Sequence, residues 1–400
     1  MAELDYWIWF SALPLRPASR RLLLDRLGGP REVFRATRRD LTGLSEREIA
    51  AVETRELERA GEILRRCGEE QVSILTLLDP AYPDRLSASP DPPPLLYVKG
   101  RLPAVDLEPM LTVVGTRRCT PYGEKQARRL GYGFASAGAV VVTGLAGGVD
   151  SLAARGALLA GGRVVGVLGC AIDQVYPSFN RELYADVAAV GALVSEYPPG
   201  AEGRAAWFPQ RDRIMAALSL ATVVVEAPER SGALITAHRA LDYGRDVFAV
   251  PGNVDSPSSQ GCLRLLKEGA AVAAEPWDVL SVYEPQYPGK LSREGAKSPV
   301  PEPEPEPAPA APEDKRGFFK LRERVRRSAR PEPLRAQLEG LTETQLKLVG
   351  VMDRERMHLD DIVDLSGLPA ATVTAELTML VIKGCVLQSP GKRFTLNIKS

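Results

Sequence analysis

Between Leu111 and Asn253, five short valine-rich runs each stop at a small-residue or glycine turn. They read LTVV-GTRR, VVVT-GLAGG, VVGVL-GCAI, TVVVEAPER-SG and VFAV-PGN, and most are followed by a stretch of helical character. The pattern predicts a doubly wound, mostly parallel α/β sheet of the Rossmann-like kind. Its glycine turns gather at the carboxyl edge of the strands, where open α/β sheets take their ligands. Glycine permits close backbone approach, and helix N-termini turn unpaired N–H groups toward anions. A phosphorylated ligand is therefore expected.

The flanks divide the chain further. Residues 1–70 read as a small helical domain of the SAM or helix-hairpin-helix type. Leu22, Leu23, Leu24 and Leu27 run into the helix stop Gly28-Gly29-Pro30. The turn Thr42-Gly43-Leu44-Ser45 fits either a phosphate-holding hairpin or a plain helix start capped by Ser45. Residues 71–110 form a proline-rich connecting segment ending in a short strand at Leu95–Val98, and 111–283 form the core. Residues 284–335 combine a Pro/Glu-rich spacer with the basic amphipathic run KRGFFKLRERVRRSAR. That run fits either an anionic partner or a solvated helix. Residues 336–400 show three helical stretches and a ribbon with a Pro-Gly turn, the winged-helix order. The third helical stretch, from Ala370 to Ile382, is nearly without basic residues. It makes a weak base reader, so a protein-contact role is expected.

Composition narrows the classes. The 51 basic and 51 acidic residues balance, which excludes a wholly basic nucleic-acid coat and leaves room for local patches. Cys67, Cys119, Cys170, Cys262 and Cys385 form no CxxC pair, so neither a disulfide scaffold nor a zinc site is expected, and the cytoplasm is the natural compartment. No apolar run is long enough to span a membrane, and the N-terminus lacks the basic region of a signal peptide.

The core segments VVGTRRCTPYG, TGLAGGVDSLAARGAL, VVGVLGCAIDQVYPSFNREL, SEYPPG, WFPQRDRIMAALSLATVVVEAPERSGALITAHRALDYGRDVFAVPGN and GCLRLLKEGA follow one another. In order and spacing they resemble the DNA-processing protein A (DprA/Smf) family over all of residues 111–283. The resemblance implies a non-enzymatic, cytoplasmic single-stranded DNA binder of natural transformation. It would shield incoming DNA, load the RecA recombinase and form a homodimer through the core. Single-strand-binding protein is a further partner considered; no cofactor, metal or catalytic residue is expected. Gly115, Thr116 and Arg117 match the family's phosphate-clasping turn, with Arg118 as a helper. Thr143-Gly144 and Ser231-Gly232 supply two more donor-rich turns. Phe208 is expected to stack a base or to serve as a core aromatic, and Arg211, Arg213 and Arg245 to line the groove. Four positions depart from the family pattern: Gly147 stands where an arginine is usual, Ala154 for a histidine, and Asp212 and Cys262 for asparagines.

Two other readings compete. A phosphoribohydrolase-like enzyme would carry a Pro-Gly-Gly-x-Gly-Thr turn and a catalytic glutamate. Here the region reads Ala227-Pro-Glu-Arg-Ser-Gly232, beside Glu226 and Glu229. A transcription regulator would sense a nucleotide in the core and read duplex DNA with the winged helix. The poorly charged third helix argues against it.

Overall fold

The computed structural model describes residues 3–301, 341–352, 357–383, 385–389 and 393–397. It contains two compact units, residues 1–301 and 302–400. The basic run at 315–330 lies outside the described residues.

The first unit is built on one nine-stranded sheet. Its strands are β1 (Val72–Thr76), β2 (Leu95–Gly100), β3 (Met110–Val114), β4 (Val140–Thr143), β5 (Val164–Leu168), β6 (Ala192–Ser195), β7 (Ala221–Val224), β8 (Asp246–Ala249) and β9 (Ala271–Val272). The order is β1-β2-β6-β5-β4-β3-β7-β8-β9. β3 to β9 run parallel, and β2 and β1 add antiparallel at one side. The parallel part starts at β3, winds outward to β6, then returns to the other flank of β3 as β7. The topological switch point therefore lies between the carboxyl ends of β3 and β7, the place where such sheets bind ligands.

The five valine-rich runs are β3, β4, β5, β7 and β8. Their side chains alternate between two apolar layers. Leu111, Val113 and Val141 pack with Leu130, Phe134 and Ala153 of the helices Pro121–Ser136 and Val149–Leu159. Val114, Val140, Val142 and Val224 pack on the other face with Ile214, Leu218 and Ala237 of the helices Trp207–Leu218 and Ala233–Asp242. The first two helices approach so closely that a Cβ at Gly131 or Gly156 would strike the facing backbone.

Segment 71–110 does more than connect, because β1 and β2 lengthen the sheet through β6. The core also runs past residue 283. Tyr287 and Ala296 are buried, and the Ser292 amide donates to the Ala137 carbonyl at 2.9 Å. Apolar side chains spaced through a proline- and glycine-containing stretch strap it onto the helix Pro121–Ser136.

Residues 3–69 are helical around Trp9, Phe10, Leu23, Leu41 and Val52. The turn at Thr42–Ser45 is a helix start. Glu48 accepts from both the amide and the hydroxyl of Ser45, and Arg16 holds the same carboxylate at 2.8 Å. The Leu44 amide is also used, donating to Leu41. Two donors that a phosphate-holding hairpin needs are thus taken inside the protein.

The second unit has helices Glu343–Val351, Leu359–Ser366 and Ala370–Ile382 and strands β10 (Met357–His358), β11 (Val386–Ser389) and β12 (Arg393–Leu396), ordered β10-β12-β11. Leu348, Ile362, Val373, Leu377, Leu380 and Phe394 form its core, a winged-helix arrangement. On the third helix the Thr374 hydroxyl donates to the Ala370 carbonyl at 2.7 Å, and Lys383 donates to Gln345 at 2.9 Å.

Candidate nucleic-acid interface

The switch point is closed by Glu226, the second residue past β7. Its carbonyl accepts the Thr116 amide at 2.7 Å. Its carboxylate accepts the Thr120 amide at 2.8 Å and the Thr120 hydroxyl at 2.7 Å. Thr120 in turn accepts from Gly123 and caps the helix Pro121–Ser136. Both oxygens of this buried glutamate thus fix the loop Gly115–Thr120. Gly115 is required there, since a Cβ would sit 2.6 Å from Val149 and 2.8 Å from the Glu226 carbonyl. The loop after β4 locks onto the same segment. The Val149 amide donates to the Thr116 carbonyl at 3.2 Å, and at Gly148 (φ +75°) a Cβ would meet the Arg117 carbonyl at 2.6 Å.

Held this way, the loop leaves Arg117 and Arg118 exposed. The Arg117 guanidinium lies 5.5 Å from the ring centre of Phe208 and 5.9 Å from that of Tyr176. The two rings are 5.2 Å apart and tilted by 58°. Phe208 is half-buried, its edge against Gly169, where a Cβ would come within 2.7 Å. An arginine above two aromatic faces is a cation–π arrangement. The same parts can bind a phosphate and stack a base. The loops after β5, β6 and β7 bring exposed Arg181, Arg204 and Arg230 to this end of the sheet.

Among the expected groove residues, the structure gathers Gly115, Thr116, Arg117, Arg118 and Phe208 at this edge. Ser231 and Gly232 follow β7 on the same side, and the Ser231 oxygens accept from Ala233 and Leu234 at the start of their helix. The Thr116 amide, spent on Glu226, is not a free donor.

Five expectations need correction. Arg211 is buried: it donates to the Gly144 carbonyl at 2.9 Å, to the Val167 carbonyl and to Asp212 at 3.1 Å. Gly144 is a glycine because a Cβ would collide with that guanidinium, and its amide donates to Asp150 at 3.1 Å. Thr143 is fully buried on β4. The Thr143-Gly144 turn therefore faces an internal network. Arg213 is also buried, paired with Glu196 at 2.6 Å and Asp91 at 3.0 Å. Arg245 precedes β8 at the amino edge of the sheet, near Arg85, Asp106, Tyr283 and Tyr287, on the opposite side from Arg117. A motif supplies arginines without saying which way they point; burial of matching acids turned these inward.

Sequence reasoning missed Tyr176 and the exposed Phe179. Phe179 approaches Gly147 so that a Cβ there would meet its ring at 3.3 Å. The signal was present in VYPSFN, whose two aromatics sit in a loop at a strand's carboxyl end. Ala154 and Cys262, two of the departures from the family pattern, are wholly interior.

Asp150 and Asp212 share one arginine in this interior. Burial, before all other causes, raises Asp150 from 3.8 to about 6, and Asp212 is pushed up by burial as well. A raised folded-state value means the contribution to stability is complete below pH 3.8 and lost as pH rises through about 6. The loss is roughly 3 kcal/mol. Thermal melts from pH 4 to 8 should show this decline. Asp150→Asn should flatten it, and a parallel decline in the variant would count against Asp150 as its source.

A cavity of about 980 Å³ lies elsewhere, near Tyr82, Arg101, Asp106 and Arg163. Several of its charged groups are engaged: Arg163 pairs with Glu108 at 3.1 Å, and Asp106 accepts the amides of Asp84 and Arg85. The edge at Arg117 is the better site for a single strand, because it sets an exposed cation beside two half-buried rings. Among the described residues no cluster of metal-ligating side chains occurs, and no helix is long and apolar enough to cross a membrane.

A doubly wound sheet, an arginine-and-aromatic edge at its switch point and an appended winged helix define a Rossmann-like α/β protein of the two-unit kind. The family model for DNA recombination-mediator protein A matches residues 73–284, and that for the DprA winged helix domain matches 331–392. Protein Smf of Synechocystis is 36% identical over 82% of this chain and 80% of its own. DNA processing protein DprA of Streptococcus pneumoniae is 40% identical over 52% of this chain and 73% of its own. The X-ray structure of DNA processing protein A from Streptococcus pneumoniae superposes with a TM-score of 0.59 at 32% identity, covering 69% of this chain and 97% of that one. The chain belongs to the DNA recombination-mediator protein A (DprA/Smf) family.

Proposed function

We propose that this protein binds single-stranded DNA in the cytoplasm, shields it and loads the RecA recombinase on it during natural transformation and homologous recombination, without catalysing a reaction. Gly115, Thr116, Arg117, Arg118, Ser231 and Gly232 form the backbone-binding edge, and Phe208 the stacking ring. A homodimer through the core would join two such edges into one path, and the winged helix would contact protein. One observation carries the reading: Arg117 stands over Phe208 and Tyr176 at the switch point. Single strands need a cation for the backbone and a ring for the base, in that proximity. The enzyme reading is weakened because Glu226 has both carboxylate oxygens occupied by Thr120.

A mobility-shift titration of single- against double-stranded DNA, with and without RecA, tests the proposal. Preference for the single strand and a RecA-dependent supershift are expected; tight sequence-specific duplex binding would overturn it. Phe208→Ala should weaken single-strand binding by about 1–3 kcal/mol. A lowered melting temperature with unchanged binding would instead make Phe208 a packing residue.

A further inference from the structure

The stacking edge continues past Phe208. Trp207, its neighbour at the start of the helix Trp207–Leu218, lies flat on Tyr197, with ring centres 3.7 Å apart and planes 8° from parallel. Tyr197 is fixed from two directions. Its hydroxyl donates to Gln210 at 3.0 Å, and its amide donates to the Ser195 hydroxyl at 3.0 Å. Trp207 is anchored through its amide to the Arg204 carbonyl at 3.0 Å. Both rings are half-buried, so the pair is no part of the closed core, while Arg204 and the residues beside it are exposed.

Position makes this pair more than a surface ornament. Tyr197 follows β6, whereas Tyr176 follows β5 and Arg117 follows β3. From β3 to β6 is three strand spacings, roughly 14 Å across the sheet. The edge thus presents Arg117 with Phe208 and Tyr176, then Trp207 on Tyr197, in one direction across the strands. Aromatic platforms in a row beside cations are how sequence-tolerant single-strand grooves hold successive bases.

We infer that the Trp207–Tyr197 stack is a second base-stacking platform, taking a nucleobase one step along the strand from the one on Phe208. This rests on the single-strand reading proposed above. Trp207 supplies the outer face, and Tyr197 is a positioning residue that holds the indole flat.

The test uses the full chain with an oligothymidylate and an abasic oligomer of equal length. Trp207→Leu should weaken oligothymidylate binding roughly 10-fold, Trp207→Phe should recover most of it, and abasic binding should be unchanged in both. Tryptophan emission should be quenched by oligothymidylate in the wild type and far less in Trp207→Phe, because Trp7 and Trp9 are buried and Trp277 packs against the core from the helix Pro276–Leu280. Wild-type affinity and quenching in Trp207→Leu, with Phe208→Ala still impaired, would overturn this inference alone. An equal loss on the abasic strand would make Trp207 merely structural and overturn it too. No binding of either oligomer by the wild type would overturn the single-strand reading together with it.

Discussion

Replacing Arg117 by glutamate is expected to weaken single-strand binding roughly 100-fold, because it deletes a charge-assisted hydrogen bond and adds repulsion to the phosphate. The salt dependence should flatten by about 0.7 in log–log slope for each phosphate that the variant no longer neutralises. Stability should hardly change. The side chain is exposed, and its partners are two ring faces rather than a buried acid. Surface substitutions of that kind stay within about 0.5 kcal/mol. The loop carrying it is fixed through its backbone and Thr120, so the variant keeps the loop in place. Filter binding at several salt concentrations and one thermal melt suffice. Unchanged affinity and slope would remove Arg117 from the interface.

Arg211→Ala should do the reverse. The guanidinium neutralises Asp212, bonds the Gly144 and Val167 carbonyls, and offsets part of the burial cost of Asp150. Its removal leaves two carboxylates and two carbonyls in the interior with no cation. Breaking a buried pair from one side costs about 3–5 kcal/mol, a fall in melting temperature of roughly 10 °C. Any loss of DNA binding should then disappear when measured at a temperature where the variant is folded. A stable variant that binds DNA poorly would restore Arg211 to the groove.

These two arginines show where the sequence was legible and where it was not. The strands β3, β4, β5, β7 and β8 announced themselves because doubly covered strands are continuous apolar runs. β6 did not. It spans only Ala192–Ser195, with the single residue Gly191 between it and a helix that ends at Val190, so the run is too short to stand out. Arg117 was legible because a glycine turn at the switch point fixes its place. Arg211 and Arg213 carried the same residue type in an equally specific motif. Their partners Asp91, Gly144, Val167 and Glu196 come from other strands and loops, and no local pattern reveals a partner 122 residues away. Tyr176 was overlooked for the complementary reason: a lone aromatic in a loop gains meaning only when the fold sets a second ring beside it.

Glu226 also bears on how such a scaffold can change. A glutamate at this strand end that served as a base would need an oxygen open to substrate, yet both are committed to the cap of the following helix. Freeing one by altering Thr120 alone would uncap that helix and loosen the loop that carries Arg117. Turning this glutamate from a loop clamp into a base would therefore come at the expense of the helix cap and of the grip on the loop that carries Arg117.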